Sequence, residues 1–88
     1  MATETENFEI PENWQLENDQ LVRKMEFSKY LECVDFANEV AHLAERLNHH
    51  PSITIEYSSV QLTLYSHDKG TITKRDIDFA SSVNDLLK

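Results

Sequence analysis

Three of the chain's four histidines stand where they could move protons. His49 and His50 are adjacent and precede Pro51, and His67 follows further along. Histidine is the side chain that both gives and takes a proton near neutral pH, and a well-placed one contributes on the order of 10²–10⁴ in rate. Glu45 stands four residues before His49. If a helical turn persists that far, carboxylate and imidazole share a face and can hydrogen-bond. Such a partner raises an imidazole's pKa above its reference of about 6.5 and favours the acid-donating form.

Rival chemistries find less support. The single cysteine, Cys33, lies in an apolar helical pattern and reads as a buried small hydrophobe. There is no CxxC pair and no Gly-x-Ser-x-Gly turn, and one glycine in the whole chain excludes a phosphate-cradling loop. Three histidines with an open position would suit catalytic zinc. Yet adjacent histidines rarely turn both rings onto one ion, and no HExxH spacing occurs, so no metal is expected. A plainer role for His49 and His50 is to meet the negative end of a helix dipole.

The elements that must position these residues follow from periodicity. Pro51 cannot continue a helix and disfavours helical geometry at His50, so a preceding helix must end near Asn48. Leu31, Val34, Ala37, Val40, Ala41, Ala44 and Leu47 recur at three- and four-residue steps, which predicts a helix over about 29–48 with Ser28 as N-cap. Phe36 and Leu43 fall off that stripe, as singly exposed groups or as contacts for a second subunit. Upstream, Trp14 and Leu16, then Leu21, Met25 and Phe27, alternate around "ENDQ", a β-hairpin pattern interrupted at Arg23. Downstream, Ile53, Ile55 and Tyr57, then Val60, Leu62 and Leu64, form a second hairpin, with His67 at or beyond the strand end. Thr73 as N-cap and Asp76 three residues on make a capping box for a last helix striped by Ile77, Ala80, Val83 and Leu87. The order is ββαββα. The expected fold is α+β and two-layered: a four-stranded antiparallel sheet with the helices packed on one face.

Composition sets the limits. Eighty-eight residues make one domain, here placed at 14–88 after a flexible acidic extension at 1–13 anchored by Phe8 and Ile10. At 40% hydrophobic and 27% charged residues the chain suits a soluble globule small enough to gain from self-association. A net charge of −8 argues against nucleic acid or an anionic membrane as partner. No apolar run reaches the roughly 20 residues of a membrane span, and the N-terminus lacks a signal-peptide pattern, so a cytoplasmic location is expected.

Glu45, His49-His50-Pro51, Tyr57, His67 and Asp76, together with Trp14, "AERLNHHP" and "TKRDIDFA", form a pattern extending from about Trp14 to Leu87. In these positions the chain resembles the pterin-4a-carbinolamine dehydratase family, known in animals also as a dimerisation cofactor of a homeodomain transcription factor. The resemblance implies elimination of water from 4a-hydroxytetrahydropterin to give quinonoid dihydropterin, in pterin recycling beside an aromatic amino-acid hydroxylase. It implies no cofactor, the pterin being the substrate, and a homodimer or homotetramer. Carried over by position, His49 and His67 would be the acids, and His50 would bind substrate with a share in catalysis. Asn48, Pro51, Ser66 and Trp14 would line the pocket, and Glu45 and Asp76 would support it. Two positions depart from the family pattern: Ile53, where an aromatic residue is common, and Tyr65 in "YSH". A second reading is an interaction module that dimerises or steadies a protein partner around a vestigial pocket.

Overall fold

The structure is a computed structural model that describes residues 8–88. The first seven residues of the expected extension lie outside the described residues. Residues 8–13 make contact with the rest of the domain. Phe8 and Ile10 pack against the core, Trp14 N–H donates to the Pro11 carbonyl at 3.2 Å, and Asn84 Nδ2 donates to the Glu12 carbonyl at 3.0 Å.

The order is ββαββα: β1 (Gln15–Glu17), β2 (Gln20–Glu26), α1 (Tyr30–Leu47), β3 (Ser52–Ile55), β4 (Ser59–Leu64) and α2 (Lys74–Leu86). The strands form one antiparallel sheet in the order β1-β2-β4-β3. Asn18 and Asp19 join β1 to β2 with φ of 51° and 65°. Two consecutive positive φ values suit a two-residue hairpin loop whose twist matches the strands, and Asn and Asp tolerate them.

Register decides which face meets the helices. Leu21 pairs with Leu64, Arg23 with Leu62, Met25 with Val60 and Ile53 with Leu62, so these residues point the same way. Leu21, Val60, Leu62 and Leu64 are fully buried there with Phe79, Val40 and Val83 from the helices. Gln15, Glu17, Val22, Lys24 and Gln61 occupy the opposite, polar face. The Arg23 interruption thus lies on the inner face. Its guanidinium escapes the apolar layer by donating to Asn84 Oδ1 on α2, the oxygen that also accepts from Trp14 Nε1 at 3.0 Å.

The helices differ from expectation in rotation. The face of α1 that is buried carries Cys33, Phe36, Ala37, Val40, Leu43 and Ala44, while Leu31, Val34, Ala41 and Leu47 face outward. Phe36 and Leu43 are core residues, sharing the buried face with Ala37, Val40 and Ala44 of the expected stripe. Phe36 also meets Phe27, with ring centroids 5.3 Å apart. The N-cap is Lys29, not Ser28, and makes no side-chain cap bond; Glu32 reaches back to accept the Ser28 N–H at 3.0 Å. In α2, Phe79 rather than Ile77 or Leu87 supplies the largest buried side chain, Ile77 and Leu87 being partly buried at the margin. Tyr57 lies beyond the end of β3, 85% exposed at the turn farthest from the histidines.

Candidate functional site

Antiparallel pairing explains why distant histidines meet. β3 begins at Ser52, just past His49 and His50, and Ser52 pairs with Thr63 near the end of β4. The chain leaving β4 runs through Tyr65, Ser66 and His67, so it emerges beside the loop that leads into β3. The helix before that loop is stopped by Asn48, whose φ of 53° and ψ of 44° are left-handed. The N–H groups of Asn48 and His49 both reach the Ala44 carbonyl, the latter at 3.1 Å, closing off the helix. Between Ser66 and α2 the chain turns through Gly70, whose φ of 73° is open to glycine at no steric cost.

The result is an open hollow of about 240 Å³ lined by Asn48, His49, His50, Tyr65, Ser66, His67, Asp68 and Arg75. Sites for drug-sized ligands span roughly 300–1,000 Å³, so this one lies just below that range. Of the residues expected at the site, Asn48, His49, His50, Ser66 and His67 are brought together. Pro51 is half-buried and shapes the loop without lining the hollow. Trp14 does not wall it: the indole is a core group bonded to Asn84. The aromatic at the hollow is Tyr65, which meets the His67 ring edge-on at 4.9 Å, whereas Ile53 is not among the lining residues.

The histidines have different settings. His49 is nearly enclosed, and its Nε2 lies 2.6 Å from Asp76 Oδ1. Asp76 is fully buried, and its Oδ2 accepts from Ser66 Oγ at 2.7 Å and from the Thr73 N–H at 2.8 Å. Thr73 Oγ1 lies 2.9 Å from Ser66 Oγ and accepts the Arg75 N–H at 3.3 Å. Asp76 is therefore both the capping-box carboxylate of α2 and the partner of His49, since the first turn of α2 abuts the loop after α1. Phe79, one turn further on, meets the His49 ring edge-on with centroids 6.3 Å apart. The ring is thus held from two sides, by the carboxylate at Nε2 and by Phe79, and Nδ1 is the nitrogen that Asp76 does not engage.

His50 Nε2 pairs with Glu45 Oε2 at 2.7 Å, with both side chains mostly exposed. The expected partnership of Glu45 with His49 is corrected by the left-handed turn at Asn48. Helical spacing ends there, so the four-residue offset no longer places His49 over Glu45. His67 is exposed and rests on Tyr65. His42 is on the exposed side of α1, away from the hollow. Among the described residues no three His, Cys, Asp or Glu side chains are grouped to hold a metal ion.

Asp68 and Arg75 are lining residues that sequence reasoning missed. Arg75 Nη2 donates to Asp68 Oδ1 at 2.6 Å. That hydrogen bond, with the guanidinium's charge behind it, holds the Asp68 carboxyl below the usual carboxylate range. The signal available in sequence was adjacency: Asp68 follows His67 and Arg75 precedes Asp76.

The family described as pterin 4 alpha carbinolamine dehydratase matches residues 2–86. The chain belongs to that family. A relative from Natronomonas pharaonis, provisionally named pterin-4-alpha-carbinolamine dehydratase, is 42% identical over 80 residues, covering 91% of this chain and 87% of its own. One from Thermomicrobium roseum, with the same provisional name, is 46% identical and covers 89% of this chain and 83% of its own. A crystal structure described as a transcriptional coactivator/pterin dehydratase from Brucella melitensis superposes with a TM-score of 0.80 at 28% identity, covering 85% of this chain and 82% of that one. A pterin dehydratase-like protein described as a RuBisCO assembly factor of the alpha-carboxysome shares the fold, with a TM-score of 0.67 at 24% identity over 83% of this chain and 84% of that one. The ββαββα arrangement is thus the pterin dehydratase fold.

Proposed function

We propose that the protein eliminates water from 4a-hydroxytetrahydropterin to give quinonoid dihydropterin, with the histidines as its acid and base groups. The observation that carries this reading is the convergence of His49, His50 and His67 on one hollow in a chain of the pterin dehydratase family. Hydroxide is a poor leaving group. An imidazolium at hydrogen-bond distance protonates the 4a-oxygen, the C4a–O bond breaks and water departs. The N5 lone pair forms the C4a=N5 bond, and N5 then gives its proton to a neutral imidazole. Proton donor and proton acceptor are both needed, and histidine serves as either.

In this reading His49, held by Asp76, presents Nδ1 to the substrate as one acid. His67, on the opposite segment, serves a hydroxyl on the other ring face, and His50 chiefly orients the ring. Asn48 and Ser66 line the slot, and Glu45 steadies His50. The reaction needs positioned proton donors and no organic cofactor or metal. The product's place is in pterin recycling beside an aromatic amino-acid hydroxylase, in the cytoplasm. No helix among the described residues is long and apolar enough to cross a membrane.

Self-association to a homodimer or homotetramer belongs to the same reading. Leu31, 69% exposed, and Val34 form an apolar strip on α1, and Ile55 lies on β3, an edge strand with one unpaired side. A second copy would cover these side chains and supply pairing for the edge. The same surface supports the alternative reading, a module that steadies a protein partner. The two neighbours described as a coactivator and an assembly factor give that alternative its weight.

The test is direct: chemically generated 4a-hydroxytetrahydropterin is mixed with the protein and ultraviolet absorbance followed. Conversion faster than in buffer, in proportion to protein, supports dehydration. An unchanged rate favours the partner-binding module.

A further inference from the structure

A further hollow lies at the other end of both helices from the histidines. It is an open groove of about 400 Å³ between the N-terminal half of α1 and the C-terminal end of α2. Phe27, Phe36, Leu86 and Leu87 make its apolar floor. Phe36 is held in the core, while Phe27, Leu86 and Leu87 are only partly buried and keep apolar surface in contact with water. Glu32, Asp35 and Glu39 stand along one side.

These three carboxylates crowd one flank of α1. Side chains three and four residues apart are neighbours on a helix, and like charges so placed cost about 0.2–0.5 kcal/mol a pair. Glu32 is partly answered, since it lies at the helix's positive end and accepts the Ser28 N–H at 3.0 Å. Asp35 and Glu39 are exposed and make no ion pair among the described residues. Lys88, next to Leu87, is turned to Asp85 at 3.6 Å. The groove therefore joins an apolar floor to an unanswered negative edge.

Charge selects the occupant. The chain has 16 acidic and 8 basic residues, so a second copy would bring the wrong sign. Residues 1–7, with Glu4 and Glu6 and no lysine or arginine, would bring it too. An amphipathic helix with basic flanks fits instead. Its apolar side chains seat on the floor, and lysine or arginine one turn apart meets Asp35 and Glu39, themselves one turn apart. The net charge of −8 steers such a partner towards the chain.

We propose that this groove docks a basic amphipathic helix of a partner protein, with Asp35 and Glu39 as its charge contacts. Neither Leu31 nor Val34 lines the groove, so the site is separate from the outward strip of α1. It is also clear of the histidine hollow, which takes residues beyond the end of α1 and Arg75 from the first turn of α2. The inference stands apart from the dehydratase reading, and a docked helix leaves that hollow open.

The experiment uses a fluorescein-labelled helical peptide of lysine, leucine and alanine, with leucines along one face and lysines flanking them, followed by anisotropy. Wild type is expected to bind it saturably, one peptide to each chain. Asp35→Lys and Glu39→Lys should each weaken binding by about tenfold or more, the worth of one charge-assisted contact. Each replacement sets opposite charges four residues apart on α1, so the fold and Tm should be retained. Glu17→Lys makes the same charge change on the polar face of the sheet and should weaken binding by less than about threefold. A peptide with alanine for each leucine keeps charge and helicity and should also lose about tenfold. Equal losses in all three variants would reveal attraction to net charge alone and overturn the proposal. Undiminished binding of the leucine-free peptide, or no saturable binding by wild type, would overturn it as well.

Discussion

His49 Nε2 and Asp76 Oδ1 are 2.6 Å apart, joined across a loop and the first turn of a helix. The carboxylate is fully buried and its other oxygen takes two further hydrogen bonds, so it has no freedom to leave the imidazole. Capping a helix and orienting a ring are here one act by one side chain.

Asp76 variants should separate those two tasks. Asp76→Asn keeps an acceptor for Ser66 Oγ and the Thr73 N–H but cannot present a charge to His49. It is expected to remain folded and to lose at least about tenfold in dehydration rate, a part of the 10²–10⁴ an acid–base residue supplies. Asp76→Ala removes the cap and strands buried donors, costing about 1–3 kcal/mol. Thermal denaturation beside the absorbance assay reads both effects.

Glu45 should matter much less. Its pairing with His50 is open to water, and such pairs contribute about 0.2–1 kcal/mol. Glu45→Gln is expected to leave Tm nearly unchanged and to reduce rate by no more than a few-fold. A loss as large as that of Asp76→Asn would show that His50, not His49, has the decisive carboxylate.

Asp68 carries the pH dependence. Its carboxyl is depressed by the Arg75 hydrogen bond, so the folded state binds that proton less readily than the unfolded state. The pair's contribution is therefore present above the unfolded value of about 3.9 and is lost as pH falls through the lower folded value. A carboxyl-carbon NMR titration should place the Asp68 midpoint below 3.9 in wild type and nearer to it in Arg75→Ala. A wild-type midpoint at or above the ordinary value would contradict the ion pair.

The core makes its own prediction. Phe79 is fully buried and packs against the His49 ring. Phe79→Ala should cost about 3–5 kcal/mol, read as a drop in denaturation midpoint. Phe79→Leu should cost less and still lower the rate by loosening His49.

Leu31→Glu and Val34→Glu test assembly. Both side chains lie on the outward strip of α1, so monomer folding should survive the charge. Light scattering is expected to show an oligomer for wild type and a smaller species for the variants. Unchanged mass would place the contact elsewhere.

Much of the architecture was legible because its signals are local. Pro51 marks the end of α1, alternation marks the strands, and Asp76 three residues after Thr73 marks the start of α2. The face of α1 was not legible, because Leu31, Val34 and Leu47 on one side match Phe36 and Leu43 on the other in apolar character. Only the packing of the helix against the sheet selects between the two sides. At the site, the histidine loop could be read from the chain, but the partner of each ring could not. One left-handed residue, Asn48, turns His49 from Glu45 towards Asp76 and His50 back to Glu45. Arg75 and Asp68 escaped notice because their meeting depends on the turn from Ser66 to Thr73, a three-dimensional fact with no periodicity to announce it.

The most direct measurement is the dehydration rate of the double variant His49→Ala/His67→Ala against wild type, followed by absorbance on freshly generated 4a-hydroxytetrahydropterin. With both proposed proton donors gone and the fold retained by circular dichroism, the protein-dependent rate should fall by at least about 10²-fold, towards that of buffer. A double variant that converts the carbinolamine as fast as wild type would contradict histidine acid–base catalysis in this hollow.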